Sequence, residues 1–205
     1  MLRVLITGIT GFAGSHLAEH LVAAGHDVHG LAHEDPPFPN LAAIKDRVTI
    51  QAGDITRLEN VRSALAASRP DAVVHLAGLA VPTLASADPI AAVRLNVLGT
   101  SALLTALEEL PGTRLSIASS ADVYGAPERI PVAEDAPLRP DNVYAATKVA
   151  AEALTREFGG RHRAPVVILR PANQNGPRQH AGLATPSVTF STFATWLVLT
   201  RRRSR

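Results

Sequence analysis

The fold class this sequence predicts is α/β, a doubly wound sheet of parallel strands, and three observations lead to it. Apolar strand-like runs alternate with amphipathic helical stretches from residue 2 to residue 170. Those runs are continuously apolar rather than alternating, as strands buried on both faces of a parallel sheet are. The first run ends in a glycine-rich turn that opens directly into a helical pattern, "LITGITGFAGSHLAEHL" at residues 5–21. Strand–helix–strand repetition of this kind lays helices on both faces of one sheet.

Taken in order, strands are expected near residues 2–7, 27–32, 47–52, 71–77, 113–119 and 164–170. Helices are expected near 12–24, 57–68, 89–110 and 142–158. Thr56 with Glu59 three residues later predicts a capping box for the second helix. Asp88-Pro89 predicts an N-cap followed by proline at the first helical position. No low-complexity linker interrupts the pattern, so residues 1–180 are read as one domain and 181–205 as an atypical tail.

Composition narrows the classes. The chain has 205 residues, 46% of them hydrophobic, enough for one large packed core. It has no cysteine, which excludes a disulfide framework and thiolate chemistry. The isoelectric point near 9.5 suggests a basic protein. Four of the basic residues, however, are Arg201, Arg202, Arg203 and Arg205; the rest number 16 against 18 acidic residues. A nearly neutral body argues against a nucleic-acid or membrane surface. The strand pattern begins at "MLRVLITG", leaving no room for a signal peptide, and no apolar run is read as reaching membrane-spanning length. A cytoplasmic location without a membrane or nucleic-acid partner is expected, and no metal.

The opening turn carries the first chemistry. Thr7-Gly8-x-x-Gly11-x-x-Gly14 follows a strand and starts a helix, the context in which such spacing is informative. Gly8 permits the tight turn, Gly11 lets backbone amides approach a pyrophosphate, and Gly14 lets helix and strand pack closely. The amides at Phe12 and Ala13 open the helix, whose N-terminus attracts anions. A dinucleotide site usually has a carboxylate at the end of the second strand for the ribose 2′-OH. Here "HDVHGLAHED" places Ala32 and His33 there, with Glu34 and Asp35 slightly late. That gap favours NADP over NAD, His33 being either a contact to the 2′-phosphate or a solvated loop residue. Asp54, beside Ile55 in "GDIT", either accepts from an adenine amino group or caps a helix. In "HLAGLA", the small residues after His75, with Leu76, Ala77 and Gly78 as the wall, let backbone pass close to a ligand; His75 itself reads as a packed strand residue.

The second chemistry lies in "SSADVYG" (119–125) and "YAATK" (144–148). Tyr144 and Lys148, at i and i+4, share a helical face. An ammonium beside a phenol should pull the phenol below its usual value of about 10 and make Tyr144 a general acid/base. Lys148 is also placed to grip a nicotinamide ribose. Ser120, at the carboxyl end of a parallel strand, can hydrogen-bond the substrate oxygen.

Together these motifs resemble the extended short-chain dehydrogenases/reductases of the nucleotide-sugar epimerase/dehydratase kind, a Rossmann-type family. The match runs through Thr7 to Gly14, Asp54-Ile55, "HLAG", Asn96 in "RLNVLGT", "SSADVYG", "YAATK" and "LRPANQNGPRQ" (169–179), over about residues 1–180. The resemblance implies that Ser120, Tyr144 and Lys148 act with a bound NAD or NADP on a nucleotide-linked sugar, with Asn96 on the cofactor side. It implies that Asn173 and Arg178 face the substrate diphosphate, Asn173 being otherwise a turn residue. Within the family the look is that of GDP-6-deoxy-D-mannose reductases, which reduce GDP-4-keto-6-deoxymannose at C4. GDP-mannose 4,6-dehydratases usually carry Glu where this chain has Asp122, and UDP-sugar 4-epimerases need only the Ser–Tyr–Lys trio. Family habit would pair the helices near 89–110 and 142–158 in a homodimer. Members continue into a smaller C-terminal substrate domain, largely missing here, so a truncated or frameshifted reading frame, and a cofactor-binding fragment with little turnover, are also expected possibilities.

Overall fold

The computed structural model of the chain describes residues 1–172, 174 and 176–179. Its strands are β1 (Arg3–Thr7), β2 (Asp27–Ala32), β3 (Val48–Ala52), β4 (Ala72–His75), β5 (Arg114–Ala118) and β6 (Val166–Leu169). The α-helices are α1 (Phe12–Ala23), α2 (Leu58–Ser68), α3 (Pro82–Ala87), α4 (Pro89–Val93), α5 (Gly99–Leu107) and α6 (Val143–His162). All six strands pair in parallel, in the order β3-β2-β1-β4-β5-β6. The chain reverses its direction of travel across the sheet between β1 and β4, and a crevice opens there at the carboxyl ends of the strands. Register brings those ends level, since Thr7 lies opposite both Leu31 and His75.

Alternation along β1 divides the core. Val4 and Ile6 face α1, packing with Leu17, Leu21 and Leu41. Leu5 faces the other layer, with Val61 and Leu65 of α2, Leu103 and Leu107 of α5, and Phe158 of α6. Leu5, Ile6, Leu103 and Leu115 are at most 1% exposed; burying each such side chain contributes about 1.5–3 kcal/mol before entropy is counted.

Several local expectations are revised. The capping box does not form: Asp54 Oδ1 accepts both the Thr56 N–H and the Thr56 hydroxyl, each at 2.8 Å. The Thr56 side chain is thereby held in the preceding turn, and α2 starts at Leu58 without a side-chain cap. Asp88 caps α4 as expected, accepting from Ala91 N at 2.9 Å. The single helix expected over 89–110 is α4 and α5 joined by a π-helical turn, Arg94–Leu98, which carries a buried Asn96. The segment Pro89–Leu107 is, by length and composition, apolar enough to cross a membrane, contrary to the sequence reading. Its Leu103, Leu104, Ala106 and Leu107 belong to the core, packed with α2 and α6. The short α3 and 3₁₀ turns at Pro39–Arg47 and Ala121–Tyr124 were not expected. The tail 181–205 lies outside the described residues.

Candidate active site

The glycine turn adopts the shape its spacing demands. Gly8 has φ +73°, and a Cβ there would sit 2.8 Å from Ala77 N. At Gly14 a Cβ would be 2.2 Å from the Gly8 carbonyl oxygen, so any side chain would break the turn. Gly11 precedes α1 in an extended conformation, and the first turn of α1 has no acidic residue. The first turn of a helix has no acceptor one turn back for its amides, and this N-terminus, which Phe12 and Ala13 open, is of the kind that attracts anions.

A groove of about 240 Å³ opens from this turn. Gly8 and Gly11 form one end, Leu76, Ala77 and Gly78 one wall, and His33, Asp54 and Ile55 the opposite side. Thr7 stands behind the wall, fully buried, accepting the Ala77 N–H at 3.2 Å. Asn96 is buried too: its Oδ1 accepts from Leu79 N at 2.8 Å and its Nδ2 donates to Leu79 O at 3.1 Å. Asn96 Nδ2 also reaches Thr147 Oγ1 on α6 at 2.9 Å, so it ties the wall to the helix bearing Tyr144 and Lys148.

The groove is not without a carboxylate at the end of β2. Glu34 lines it, and Thr10 Oγ1 donates to Glu34 Oε2 at 2.7 Å. Sequence reading passed over Glu34 because it follows the strand too late; the hydroxyl of Thr10, in the glycine turn itself, draws it back. Asp54 has Oδ1 occupied by Thr56. Burial raises its carboxyl, but the Thr56 bonds and the charges of His33 and Arg94 outweigh that and hold it below its usual value.

The second cluster lies past the ends of β4 and β5. Ser120 caps the 3₁₀ turn, its hydroxyl accepting from Asp122 N at 3.1 Å, and it stands near enough to the Tyr144 phenol to act on its proton affinity. Asn142 caps α6 through Ala145 N at 2.9 Å, which places Tyr144 in the first turn. Lys148, 9% exposed, donates to Ala118 O at 2.9 Å, and its Nζ lies 5.7 Å from the centre of the Tyr144 ring. Ser120, Tyr144 and Lys148 are thus brought together, with Asp122 beside them.

The expected lowering of the Tyr144 phenol does not occur. Burial raises it above 10; the nearby Ser120 hydroxyl opposes this, and the Asp122 charge adds to it. The physical reason is desolvation of the phenolate, while the ammonium is engaged with the β5 backbone. Burial lowers Lys148 to about 8. Asp122 is raised by burial and by Asp141, against the Ser120 hydrogen bond.

Two substrate residues fare differently. Asn173 lies outside the described residues. Arg178 pairs with Glu19 of α1 at 2.6 Å, so the structure does not bring it to the Ser120–Tyr144 group. The cause is the path of residues 176–179 over α1, where His16 Nε2 meets Pro177 O at 3.0 Å.

A buried charged group was missed altogether. Glu152, fully buried on α6, accepts from Arg170 Nε and Nη2, both at 2.8 Å, and also pairs with Arg156. Arg170 Nη1 donates to Tyr124 Oη at 2.6 Å and to Glu134 O at 2.8 Å. The signal was available: Glu152 is one further i+4 step along the face of Tyr144 and Lys148. A cleft of about 940 Å³ opens beside this group, with Asp122, Tyr124, Arg170 and Gln174 on its walls.

The strand order, the glycine turn and the Ser120–Tyr144–Lys148 group define an extended short-chain dehydrogenase/reductase of the epimerase/dehydratase kind. The model of the family described as GDP-mannose 4,6 dehydratase matches residues 5–195, and the chain belongs to that family. It is similar to a UDP-glucose 4-epimerase of Azospirillum brasilense, 36% identical over 189 residues, covering 91% of this chain and 54% of the relative. A GDP-6-deoxy-D-mannose reductase of Pseudomonas aeruginosa is 37% identical over 181 residues, covering 86% of this chain and 54% of that one. Among solved structures, the Thermus thermophilus UDP-glucose 4-epimerase in complex with NAD superimposes with a TM-score of 0.80 at 35% identity, over 87% of this chain and 57% of that one. The chain spans about half the length of the curated relatives it matches.

Proposed function

We propose that this chain carries the cofactor groove and catalytic group of an oxidoreductase acting at C4 of a nucleotide-linked sugar, using NAD or NADP. The observation that carries the reading is the gathering of Ser120, Tyr144 and Lys148, with Lys148 Nζ 5.7 Å from the Tyr144 ring, beside a groove lined by the glycine turn. A nicotinamide ring bound there supplies a hydride donor or acceptor. The glycine turn and the N-terminus of α1 would hold its pyrophosphate, and Lys148 would hold its ribose.

Tyr144 moves the sugar hydroxyl proton. With its phenol raised above 10, it is protonated at neutral pH and ready to give that proton to a forming C4 alkoxide. This suits the reductive direction, and the likeness to a GDP-6-deoxy-D-mannose reductase supports GDP-4-keto-6-deoxymannose as substrate. Ser120 steadies the same oxygen by hydrogen bonding. Glu34 supports NAD over NADP, because a carboxylate in the groove accepts from a ribose 2′-OH and repels a 2′-phosphate.

A second reading, UDP-sugar 4-epimerisation, is favoured by the same Glu34, since it is the second-strand acid the sequence reading found missing. A 4,6-dehydratase would need Asp122 as its acid or base. The exposed Ile90, Val93 and Leu98 support pairing of two copies through the Pro89–Leu107 segment. The test titrates NAD and NADP by calorimetry. It then follows oxidation of the reduced cofactor with GDP-4-keto-6-deoxymannose, and interconversion of UDP-glucose and UDP-galactose, against Tyr144→Phe. Binding of either dinucleotide with no turnover above that control leaves a cofactor-binding module, and binding of neither overturns the reading. Asp122→Asn separates the dehydratase, which it would silence, from the other two.

A further inference from the structure

His75 ends β4 and has no part in the chemistry above. It is 5% exposed, yet both ring nitrogens have partners. Nδ1 lies 2.7 Å from Thr7 Oγ1 and Nε2 lies 3.1 Å from Thr100 Oγ1.

The protons along this line follow by elimination. Thr100 gives its one hydroxyl proton to Asn96 O at 2.6 Å, so towards His75 it can only accept. Nε2 therefore carries the hydrogen. Burial, and after it the charge of Lys148, pushes the ring's proton affinity down to a pKa of about 3, so the imidazole is neutral. Nδ1 is then a bare acceptor. Thr7 donates to it while accepting from Ala77 N–H. Every donor points the same way, from Ala77 N–H through Thr7, His75 and Thr100 to the Asn96 carbonyl.

Both ends of the chain bear on the site. Ala77 lines the groove. Asn96 grips Leu79 at its N–H and its C=O and reaches Thr147, whose hydroxyl donates to Tyr144 O at 2.7 Å. The wall 76–79 is thus held at Ala77 from the glycine turn and at Leu79 from the π-helical turn. His75 is the joint between these two supports.

We propose that His75 is a positioning residue, locked as the neutral Nε2–H tautomer, that sets the 76–79 wall of the cofactor groove against the helix bearing Tyr144 and Lys148. The inference rests on the reading of that groove as a nicotinamide dinucleotide site. An imidazole suits the place because it presents an acceptor and a donor on opposite sides of one rigid ring. Phenylalanine fills the volume with neither, and asparagine cannot span both partners.

Two measurements test it. Nitrogen-15 spectra of the histidine rings in the full chain should show one ring as the Nε2–H tautomer, unchanged from pH 5 to 8 and lost in His75→Asn. An Nδ1–H tautomer, or titration of that ring near the ordinary histidine value, overturns the assignment. His75→Asn and the isosteric Thr100→Val should each weaken dinucleotide binding roughly tenfold, the worth of one hydrogen bond. Combined, they should weaken it by less than the product of the two, because both break one chain. Thr100→Val keeps the test informative if His75→Asn fails to fold. Wild-type affinity in folded variants overturns this inference alone, whereas a wild-type protein that binds neither dinucleotide overturns the groove reading itself.

Discussion

The two sides of the switch point are built differently. On the β1–β2 side the groove is made mostly of backbone: a turn shaped by Gly8 and Gly14, a helix N-terminus, and a strand end. On the β5–β6 side the walls are held by charged side chains, with Glu152 clamped by Arg170 and Arg156, and Arg170 bound in turn to Tyr124 and Glu134 O. Burial differs as well. The β4 residues are all buried, whereas all four of β6 are half-buried. A phosphate can be held by backbone alone, whose geometry one short motif dictates. Walls built of side chains need ion pairs between distant elements to fix them.

The comparison can be broken from either side. The largest effect is expected from Tyr144→Phe, which removes the proton donor. Turnover should fall by about 10²–10⁴, while calorimetry shows the dinucleotide bound as before. Next comes Glu152→Gln, which leaves Arg170 without its buried partner. Denaturant unfolding should show a loss of about 3–5 kcal/mol, greater than that from any single change in the glycine turn. Gly14→Ala drives a methyl group into the Gly8 carbonyl. It should cost about 1–3 kcal/mol of stability and abolish dinucleotide binding, which the same titration reads.

Glu34→Gln tests the groove's preference. Affinity for NADP relative to NAD should rise roughly tenfold, as expected for losing one hydrogen bond to a charged group. An unchanged ratio would place Glu34 outside the ribose site. The most gradual effect is one of pH. Lys148 gives up its proton near 8 in the folded chain, against 10.5 without burial. Between these values the unfolded state holds more protons, so stability should rise with pH, by at most about 1.4 kcal/mol per unit. Lys148→Met should flatten that rise in melts taken across the same range.

Legibility followed sequence distance. The strands and the β1 turn were readable because hydrophobic runs and glycine spacing act within a dozen residues. Tyr144 and Lys148 were readable because one helical turn brings i and i+4 together. The capping role of Thr56 was misread because Asp54, two residues upstream, competes for its hydroxyl. Asp54 does not cap α2 as one reading of it expected; one of its oxygens holds the Thr56 turn while the residue lines the groove. The lowered phenol was misread because spacing reports proximity but not desolvation.

By itself, then, the sequence determined the parallel α/β sheet, the glycine turn and the shared helical face of Tyr144 and Lys148, all of them consequences of local geometry and periodicity. Tertiary structure alone decided that Glu34 enters the groove through Thr10, 24 residues away. It also decided that Arg178 stays on α1, that Arg170 locks Glu152, and that His75 joins Thr7 to Thr100. Each of these is a hydrogen bond or ion pair between elements that meet only once the strand order is set. Side-chain spacing along the chain carries no record of that order.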